Sequence, residues 1–272
     1  KPPIREIAPP ERADPFRYGW RMVKRMLPDG GERWDRIPLT REDILHPQIG
    51  DFRMHSDEHT RTCKYLHNVM ETQVADIPGA VALHDVRHAW ANPNLEPHSP
   101  DIAVTFGIKE RRNWSTFDET REGTRPTLII EITSPSYRNI DLVNKLDEYE
   151  QAEVAFYVII DSHRRRGRTI RRLLGYQLTL NGYTAMTPNE RGWLWLEPVN
   201  CWIGLTTYSG RRNNRVECYD EDGNAIGDYL QVTARAKAAE ARAEAEAKAR
   251  MIAEARLREL EAELRRLRGS DN

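Results

Sequence analysis

The sequence has few cysteines, no long hydrophobic run and almost no net charge, and each absence excludes a class of protein. The three cysteines, Cys63, Cys201 and Cys218, are odd in number and lie outside any Cys-x-x-Cys spacing, which argues against a disulfide framework or a structural zinc site. No apolar stretch is long enough to span a bilayer, and the first residues lack the pattern of a signal peptide. We therefore expect a soluble, cytoplasmic protein with no membrane partner.

The formal net charge of −1 gives no overall field that would attract a polyanion. Any nucleic acid would have to bind through a local basic patch. The densest patch is an arginine-rich stretch after Asp161, which consists of Arg164, Arg165, Arg166, Arg168, Arg171 and Arg172. These side chains could bind phosphates, or they could protect a sheet edge from aggregation, and the sequence leaves both interpretations open.

Composition divides the chain into three parts. Residues 1–36 are rich in proline and charge and predict an extended leader packed on the domain. Residues 37–230 contain the apolar periodicities of a folded domain. Residues 231–268 are rich in Ala, Glu and Arg and contain neither Gly nor Pro, which predicts a C-terminal helical tail.

Hydrophobic periodicity within 37–230 predicts an α/β domain. Capping residues open two helices, one after Thr40 and one over 58–74. Short apolar runs predict strands, and a compact helix precedes the last of them; the strands are 80–86, 101–106, 128–133 and 155–161, and the helix is 141–152. This order indicates a mixed sheet flanked by helices. An arginine-rich hairpin and later strand-like segments predict a small β extension.

The helical tail has leucines at a coiled-coil spacing. Leu257, Leu260, Leu264 and Leu267 fall on a and d positions, and Glu precedes Lys or Arg by four residues at several places. A homodimer through this helix is one interpretation. The other is a solvated helix whose partner is its own domain, because the heptads are few.

Two carboxylates and a lysine are the candidate catalytic residues. Glu131 lies in the apolar strand PTLIIEITSP, where an ionised carboxylate is costly to bury unless a cation or hydrogen bonds compensate it. Asp101 opens the neighbouring strand, and Lys145 follows Asp141 on the next helix. Paired carboxylates hold hard cations such as Mg²⁺ or Mn²⁺. With the Lys145 ammonium beside them, the set suffices for phosphodiester hydrolysis.

Four segments around these residues resemble one family. PDIAV, LIIEITSPS, DLVNKLDEY and AFYVIID, within residues 100–161, are similar to the Uma-type restriction endonuclease family of the PD-(D/E)XK nuclease superfamily. The resemblance implies a restriction-endonuclease-like fold with Asp101 and Glu131 as metal ligands and the main-chain carbonyl of Ile132 as a further ligand. The superfamily's lysine two residues after the glutamate is replaced by Thr133, and the family pattern moves this lysine to the following helix, as Lys145.

Several neighbouring residues have weaker signals. Glu58 and His59 open the helix of residues 58–74, and either could add an accessory group to the site or lie only on the surface. His84, His88 and His98 lack metal-ligand spacing on any one element, so we assign them no role.

The sequence therefore predicts a Mg²⁺- or Mn²⁺-dependent DNA endonuclease with its nuclease domain at residues 37–230. The alternative is a non-catalytic nucleic-acid-binding or scaffold protein that has a nuclease-like fold and dimerises through its helical tail.

Overall fold

The computed structural model describes residues 14–28, 30–133, 140–165, 168–206, 215–227 and 229–269. The chain divides into two units, Lys1–Ile226 and Gly227–Asn272. None of the helices in these described ranges is both long and apolar enough to span a lipid bilayer.

The first unit opens with a small antiparallel sheet. Its strands are β1 (Gly19–Met26), β2 (Glu32–Pro38) and β3 (Asp51–Arg53), in the order β2-β1-β3. Between β2 and β3, helix α1 (Arg41–Leu45) begins at Thr40, whose side chain and that of Asp43 form a capping box. The segment predicted as an extended leader thus contains β1 and most of β2, while residues 1–13 lie outside the described part of the chain.

A six-stranded mixed sheet forms the centre of the first unit. The elements that follow β3 are α2 (Asp57–Val74), β4 (Val81–His84), β5 (Arg87–Ala89), β6 (Ile102–Thr105), β7 (Thr116–Asp118), α3 (Glu119–Glu122), β8 (Pro126–Ile132), a π-helical turn (Ile140–Asn144), α4 (Lys145–Gln151), β9 (Phe156–Arg165), β10 (Arg168–Thr179) and β11 (Gly182–Ala185). The strand order is β11-β10-β9-β8-β6-β4, and only β8 and β9 pair in parallel. The predicted α/β architecture with a mixed sheet is confirmed.

The predicted β extension has two parts in the structure. Strand β11 adds to the edge of the central sheet through its antiparallel pairing with β10. Strands β12 (Leu194–Leu196), β13 (Cys201–Thr206) and β14 (Arg215–Tyr219) instead form an antiparallel sheet of their own. The short pair β5 and β7 is parallel and lies outside both sheets.

The central sheet is buried on both faces. Even-numbered residues of β8, such as Ile130, belong to the same buried cluster as Leu66 and Met70 of α2. Odd-numbered residues, such as Ile129, pack in a second cluster with Tyr149 of α4. Because successive side chains of a strand point to opposite faces, Glu131 is directed to the α4 side.

The second unit consists of one long helix, α5 (Tyr229–Gly269), in the described residues. Intrahelical pairs such as Arg250 with Glu254, 2.9 Å apart, support it. Leu257 and Leu260 are exposed, and the side chains of Leu264 and Leu267 lie outside the described part. The coiled coil therefore stays a prediction.

One buried histidine makes the stability of the fold depend on pH. The imidazole of His88 in β5 is bonded through Nδ1 to the Val86 carbonyl, 2.8 Å away, and packs on the ring of Phe117. Its Nε2 is buried and has no hydrogen-bond partner among the described residues. Burial lowers the pKa of His88 from 6.5 to about 4, because a charged imidazolium there would be desolvated.

We expect acid to destabilise the protein through His88. The unfolded chain takes up a proton near pH 6.5 that the folded state does not accept until pH 4, so stability falls as the pH decreases through this window. The loss approaches about 3 kcal/mol at pH 4. Urea unfolding between pH 7.5 and 4 should show a steeper decline for the natural chain than for His88→Gln. Parallel pH profiles would contradict this assignment.

Candidate active site

The two predicted carboxylates meet at one end of the central sheet. Asp101 immediately precedes β6, and Glu131 is the second-last residue of β8. The antiparallel register pairs Ile102 with Ile130, so Asp101, one residue before Ile102, and Glu131, one residue after Ile130, lie at the same end of the two strands. The fold therefore brings Asp101 and Glu131 to one edge.

Asp101 extends the hydrogen bonding between β6 and β8 beyond the last strand pair. Its Oδ2 accepts a hydrogen bond from the backbone N–H of Ile132 at 2.8 Å and lies 3.2 Å from His59 Nε2. Burial alone would raise the pKa of Asp101, but His59, together with Lys145 and this N–H, holds that pKa well below its usual range. Asp101 is therefore an ionised carboxylate inside the protein.

Glu131 is compensated from helix α4. Its Oε1 lies 2.8 Å from Lys145 Nζ and accepts a hydrogen bond of 2.8 Å from the Tyr149 hydroxyl. Lys145 and Tyr149 are four residues apart, so they lie on the same face of α4. All three side chains are buried, and a buried carboxylate requires such partners. The side chain of Asp141, four residues before Lys145, lies outside the described part of the chain.

His59 approaches Asp101 from the first turn of α2. Ser56 caps this helix by accepting a hydrogen bond from the His59 backbone N–H at 3.2 Å. Burial lowers the pKa of the His59 imidazole, but the neighbouring Asp101 outweighs this effect, and Glu131 adds to it, so the net shift is upward. Because both carboxylates act on this one imidazole, His59 belongs to the same site.

Cys63 also lies beside His59, with its Sγ 3.5 Å from His59 Nδ1. One ligand atom each from His59, Cys63 and Asp101 fall within 4.8 Å of one another. Burial raises the pKa of the Cys63 thiol far above its usual value, and the Asp101 carboxylate raises it further. Mg²⁺ and Mn²⁺ prefer oxygen donors to a thiolate sulfur. Hard oxygen ligands are therefore the better description of this site.

Glu58, the other predicted accessory residue, makes a different contact. Its carboxylate lies 2.7 Å from Arg171 Nη2. Among the described residues, the ligand atoms that cluster with Asp101 come from His59 and Cys63, and neither Glu58 nor Glu131 belongs to that group. Arg171 Nε also donates to Ser162 Oγ at 3.2 Å. Arg171 thus connects β10 to β9 and to the start of α2.

The remaining predicted arginines divide into two groups. Arg172 Nε donates to the fully buried Asp161 at 2.5 Å. The side chains of Arg164, Arg165, Arg166 and Arg168 lie outside the described part of the chain.

Thr133, which occupies the position of the superfamily's lysine, makes a contact of 3.3 Å through its hydroxyl with the Asp161 carboxylate.

The donor set suits a hard divalent cation. Asp101 and Glu131 supply carboxylate oxygens at the same edge, and oxygen donors are the ligands that Mg²⁺ and Mn²⁺ prefer. Asp101 faces the imidazole of His59 and Glu131 the ammonium of Lys145. A divalent ion at this edge would compete with these two groups for the carboxylates. The residues present therefore fit such an ion in chemical type.

A second cluster, which the sequence did not predict, lies beside α4. Ligand atoms of His46, His98 and Glu148 fall within 4.8 Å of one another, and His98 Nε2 is in direct contact with a Glu148 carboxylate oxygen. The indole N–H of Trp90 donates to His98 Nδ1 at 2.7 Å. Burial lowers the pKa of His98 despite the nearby Glu148, so the ring is neutral.

The bond from Trp90 argues against a metal ion in this cluster. Indole can only donate, so Nδ1 of His98 is the acceptor and the single ring proton is on Nε2. That nitrogen therefore donates to Glu148 and has no lone pair for a metal. Burial would raise the pKa of Glu148, but the bond from His98 outweighs burial and lowers it. The cluster anchors α4, whose residues Lys145 and Tyr149 contact Glu131.

We expect the stability of the domain to depend on keeping Glu131 and Lys145 together. Glu131→Gln removes the carboxylate that lies 2.8 Å from the buried ammonium, and Lys145→Met removes the ammonium from the buried carboxylate. Each change should lower the free energy of unfolding by about 3–5 kcal/mol. The double variant, which buries neither charge, should be more stable than the sum of the two losses predicts. Urea unfolding measures all three.

Lys64→Met is the matched control, because Lys64 lies exposed on α2, and we expect it to change stability by less than about 0.5 kcal/mol. Additive losses in the double variant would show that Glu131 and Lys145 are not coupled.

Comparisons with known proteins support one family. A family model described as "Uma2: Putative restriction endonuclease" matches residues 48–207, which is more than half of the chain and includes Asp101, Glu131 and Lys145. A solved structure titled as a "putative nuclease belonging to DUF820" from Anabaena variabilis ATCC 29413 is 17% identical, covers 55% of this chain and 79% of its own, and has a TM-score of 0.38. This likeness is too low to carry an argument.

The search among curated proteins gave no match. The family match supports a nuclease function, in agreement with the resemblance carried by the four sequence segments. Because the match covers residues 48–207 of 272, the chain belongs to the Uma2 restriction endonuclease family.

Proposed function

We propose that this chain is a metal-dependent endonuclease that hydrolyses phosphodiester bonds of DNA. Asp101, Glu131 and the main-chain carbonyl of Ile132 would hold Mg²⁺ or Mn²⁺. The observation that carries the proposal is the strand register, which brings two buried acids to one edge of the sheet with a lysine beside them. Buried titratable groups with strongly perturbed pKa values, as at Asp101, concentrate at functional sites.

A divalent ion in such a site polarises the phosphate and lowers the pKa of a bound water. The residues of the chain have separate tasks. Lys145 Nζ lies 2.8 Å from Glu131 Oε1, where its ammonium would stabilise the negative charge that develops on the phosphate. Tyr149 orients the Glu131 carboxylate through its hydroxyl. His59 orients Asp101 and can hold a proton at Nε2.

DNA is the proposed substrate because of the family and because of the basic hairpin of β9 and β10. Arg164, Arg165, Arg166 and Arg168 would contact phosphates, which makes binding weaken with salt. Arg171 and Arg172 already contact Glu58 and Asp161, so we assign them to holding the hairpin in place.

The alternative is a non-catalytic nucleic-acid-binding protein with the same fold, which would dimerise through the α5 helix. One observation favours it: both carboxylates already contact a positively charged or titratable side chain of the protein itself. Titration with Mn²⁺ separates the two proposals. Binding that depends on Asp101 and Glu131 supports the enzyme, and no binding at millimolar ion supports the alternative.

We expect cleavage of supercoiled plasmid DNA in the presence of Mg²⁺ or Mn²⁺ and none with a chelator. Asp101→Asn and Glu131→Gln should each lower the rate at least about 100-fold, because each removes a charge that the reacting phosphate and its ion require. Mn²⁺ affinity, measured by electron paramagnetic resonance, should fall in parallel. Glu110→Gln, at an exposed carboxylate, is the control. Undiminished cleavage by folded Glu131→Gln would remove Glu131 from the mechanism.

We expect His98 to act as a positioning residue for α4. His98→Phe keeps a ring against Trp90 and Tyr149 but removes the bonds to Trp90 and Glu148. The turnover rate should fall by about 10-fold or more, because small displacements of reacting groups slow catalysis strongly. The KM for DNA and the Mn²⁺ affinity should change little.

The control for His98 is His67→Phe, since His67 contacts the Ala82 carbonyl on the α2 side of the sheet. A drop of equal size in both variants would indicate general destabilisation rather than positioning of α4.

A further inference from the structure

The small N-terminal sheet has an open edge and an exposed apolar face. Strand β2 is an edge strand, since among the described residues it pairs only with β1. Large exposed hydrophobic side chains lie on one face of this sheet, namely Met22, Met26, Trp34 and Phe52, and Ile37 is exposed on the other face. An unpaired edge beside exposed apolar side chains is a surface that another chain can extend.

The charges along β2 are symmetric about Trp34. One residue away on either side lie Arg33 and Asp35, and two residues away lie Glu32 and Arg36. Each pair consists of opposite charges. If a second β2 pairs antiparallel with the first and Trp34 faces Trp34, then Arg33 faces Asp35 and Glu32 faces Arg36, in both halves of the contact.

We propose that β2 pairs antiparallel with β2 of a second copy of this chain, about a two-fold axis at Trp34. The two small sheets then form one six-stranded sheet. Opposite-charge pairs and aromatic pairs are the contacts that stabilise facing positions of antiparallel strands.

The charge pattern selects this register over its neighbours. A shift by one residue brings Arg33 opposite Arg36, or Glu32 opposite Asp35. A shift by two residues brings Asp35 opposite its own copy, or Arg33 opposite its own copy. Like charges at facing positions are destabilising, so among these five registers only the one centred on Trp34 avoids them. Edge strands that are merely protected from association carry lysines or inward-pointing charges, with no need for such self-complementarity.

The contacts inside one chain are compatible with this pairing. Asp35 lies 2.8 Å from Arg33 and 3.0 Å from Arg25, and Glu32 lies 2.5 Å from Lys24. In the dimer each acid would be shared between its own strand and the second copy. Exposed ion pairs contribute little individually, so the backbone hydrogen bonds of the new strand pair and the facing Trp34 side chains supply most of the attraction.

Complementary charge variants of the full chain test the proposal. The acidic variant carries Arg33→Glu with Arg36→Glu, and the basic variant carries Glu32→Lys with Asp35→Lys. In either variant alone, facing positions in the proposed register have like charges. We expect the natural chain to be a dimer by sedimentation equilibrium, and each variant alone to dimerise at least about 10-fold more weakly.

An equimolar mixture of the two variants should restore a dimer, because every facing pair then has opposite charges. This recovery also shows that both variants are folded. Glu190→Lys with Glu221→Lys, at two exposed positions, is the control for the basic variant and should leave the dimer unchanged. A dimer through α5 would be insensitive to all of these changes, and that result would overturn the proposal.

Cross-linking provides an independent measurement. A cysteine at the two-fold position faces its own copy, so Trp34→Cys should form a disulfide-linked dimer on mild oxidation. The natural cysteines are buried. Met26→Cys, on the same face of β1, is the matched control and should not cross-link. A natural chain that is monomeric at tens of micromolar, whether or not the charge variants alter DNA binding, would overturn the proposal.

Discussion

The burial of a charged Glu131 in an apolar strand is the constraint on which the site depends. Strand β8 is covered on both faces, and its carboxylate lies on the α4 side. Without a cation and a hydrogen-bond donor this burial would oppose folding. Helix α4 supplies both, because Lys145 and Tyr149 are one turn apart and contact the same carboxylate oxygen. The contacts with Glu131 therefore hold α4 on the sheet together with its apolar packing and the bond between His98 and Glu148.

Asp101 is also a buried carboxylate, but different groups compensate its charge. Its carboxylate bonds to the Ile132 backbone and to His59, so its partners come from β8 and α2. Two acids at one edge repel each other, and here each is balanced by a group from a different helix. Both helices are thus connected to the sheet through the residues that would perform the chemistry. We therefore expect a substitution at this edge to affect stability and the proposed activity together.

Local signals in the sequence predicted much of this structure. The caps at Thr40 and Ser56 and the apolar strands around residues 101–106 and 128–133 lie where they were expected. The contacts of Glu58 with Arg171 and of His98 with Glu148 were not predictable, because their members come from elements far apart in the chain. Only tertiary packing brings such residues together. Tyr149 is part of the sequence motif DLVNKLDEY, but its hydrogen bond to Glu131 could not be predicted without knowing how the strand and the helix pack.

Strand β2 was not predicted from the sequence, because its residues are mostly charged and show no alternation of apolar and polar side chains. Residues 32–36, with four charges, fall within the segment 1–36, whose proline and charge content predicted an extended leader packed on the domain. In the structure β2 is a strand that is exposed over nearly its whole length, so no buried face produces an apolar alternation. The charge pattern of β2 therefore relates to pairing at the open edge of the strand rather than to packing in a hydrophobic core. Opposite charges at equal distances from Trp34 are unnecessary for a leader, whereas they stabilise a strand that pairs antiparallel with its own copy.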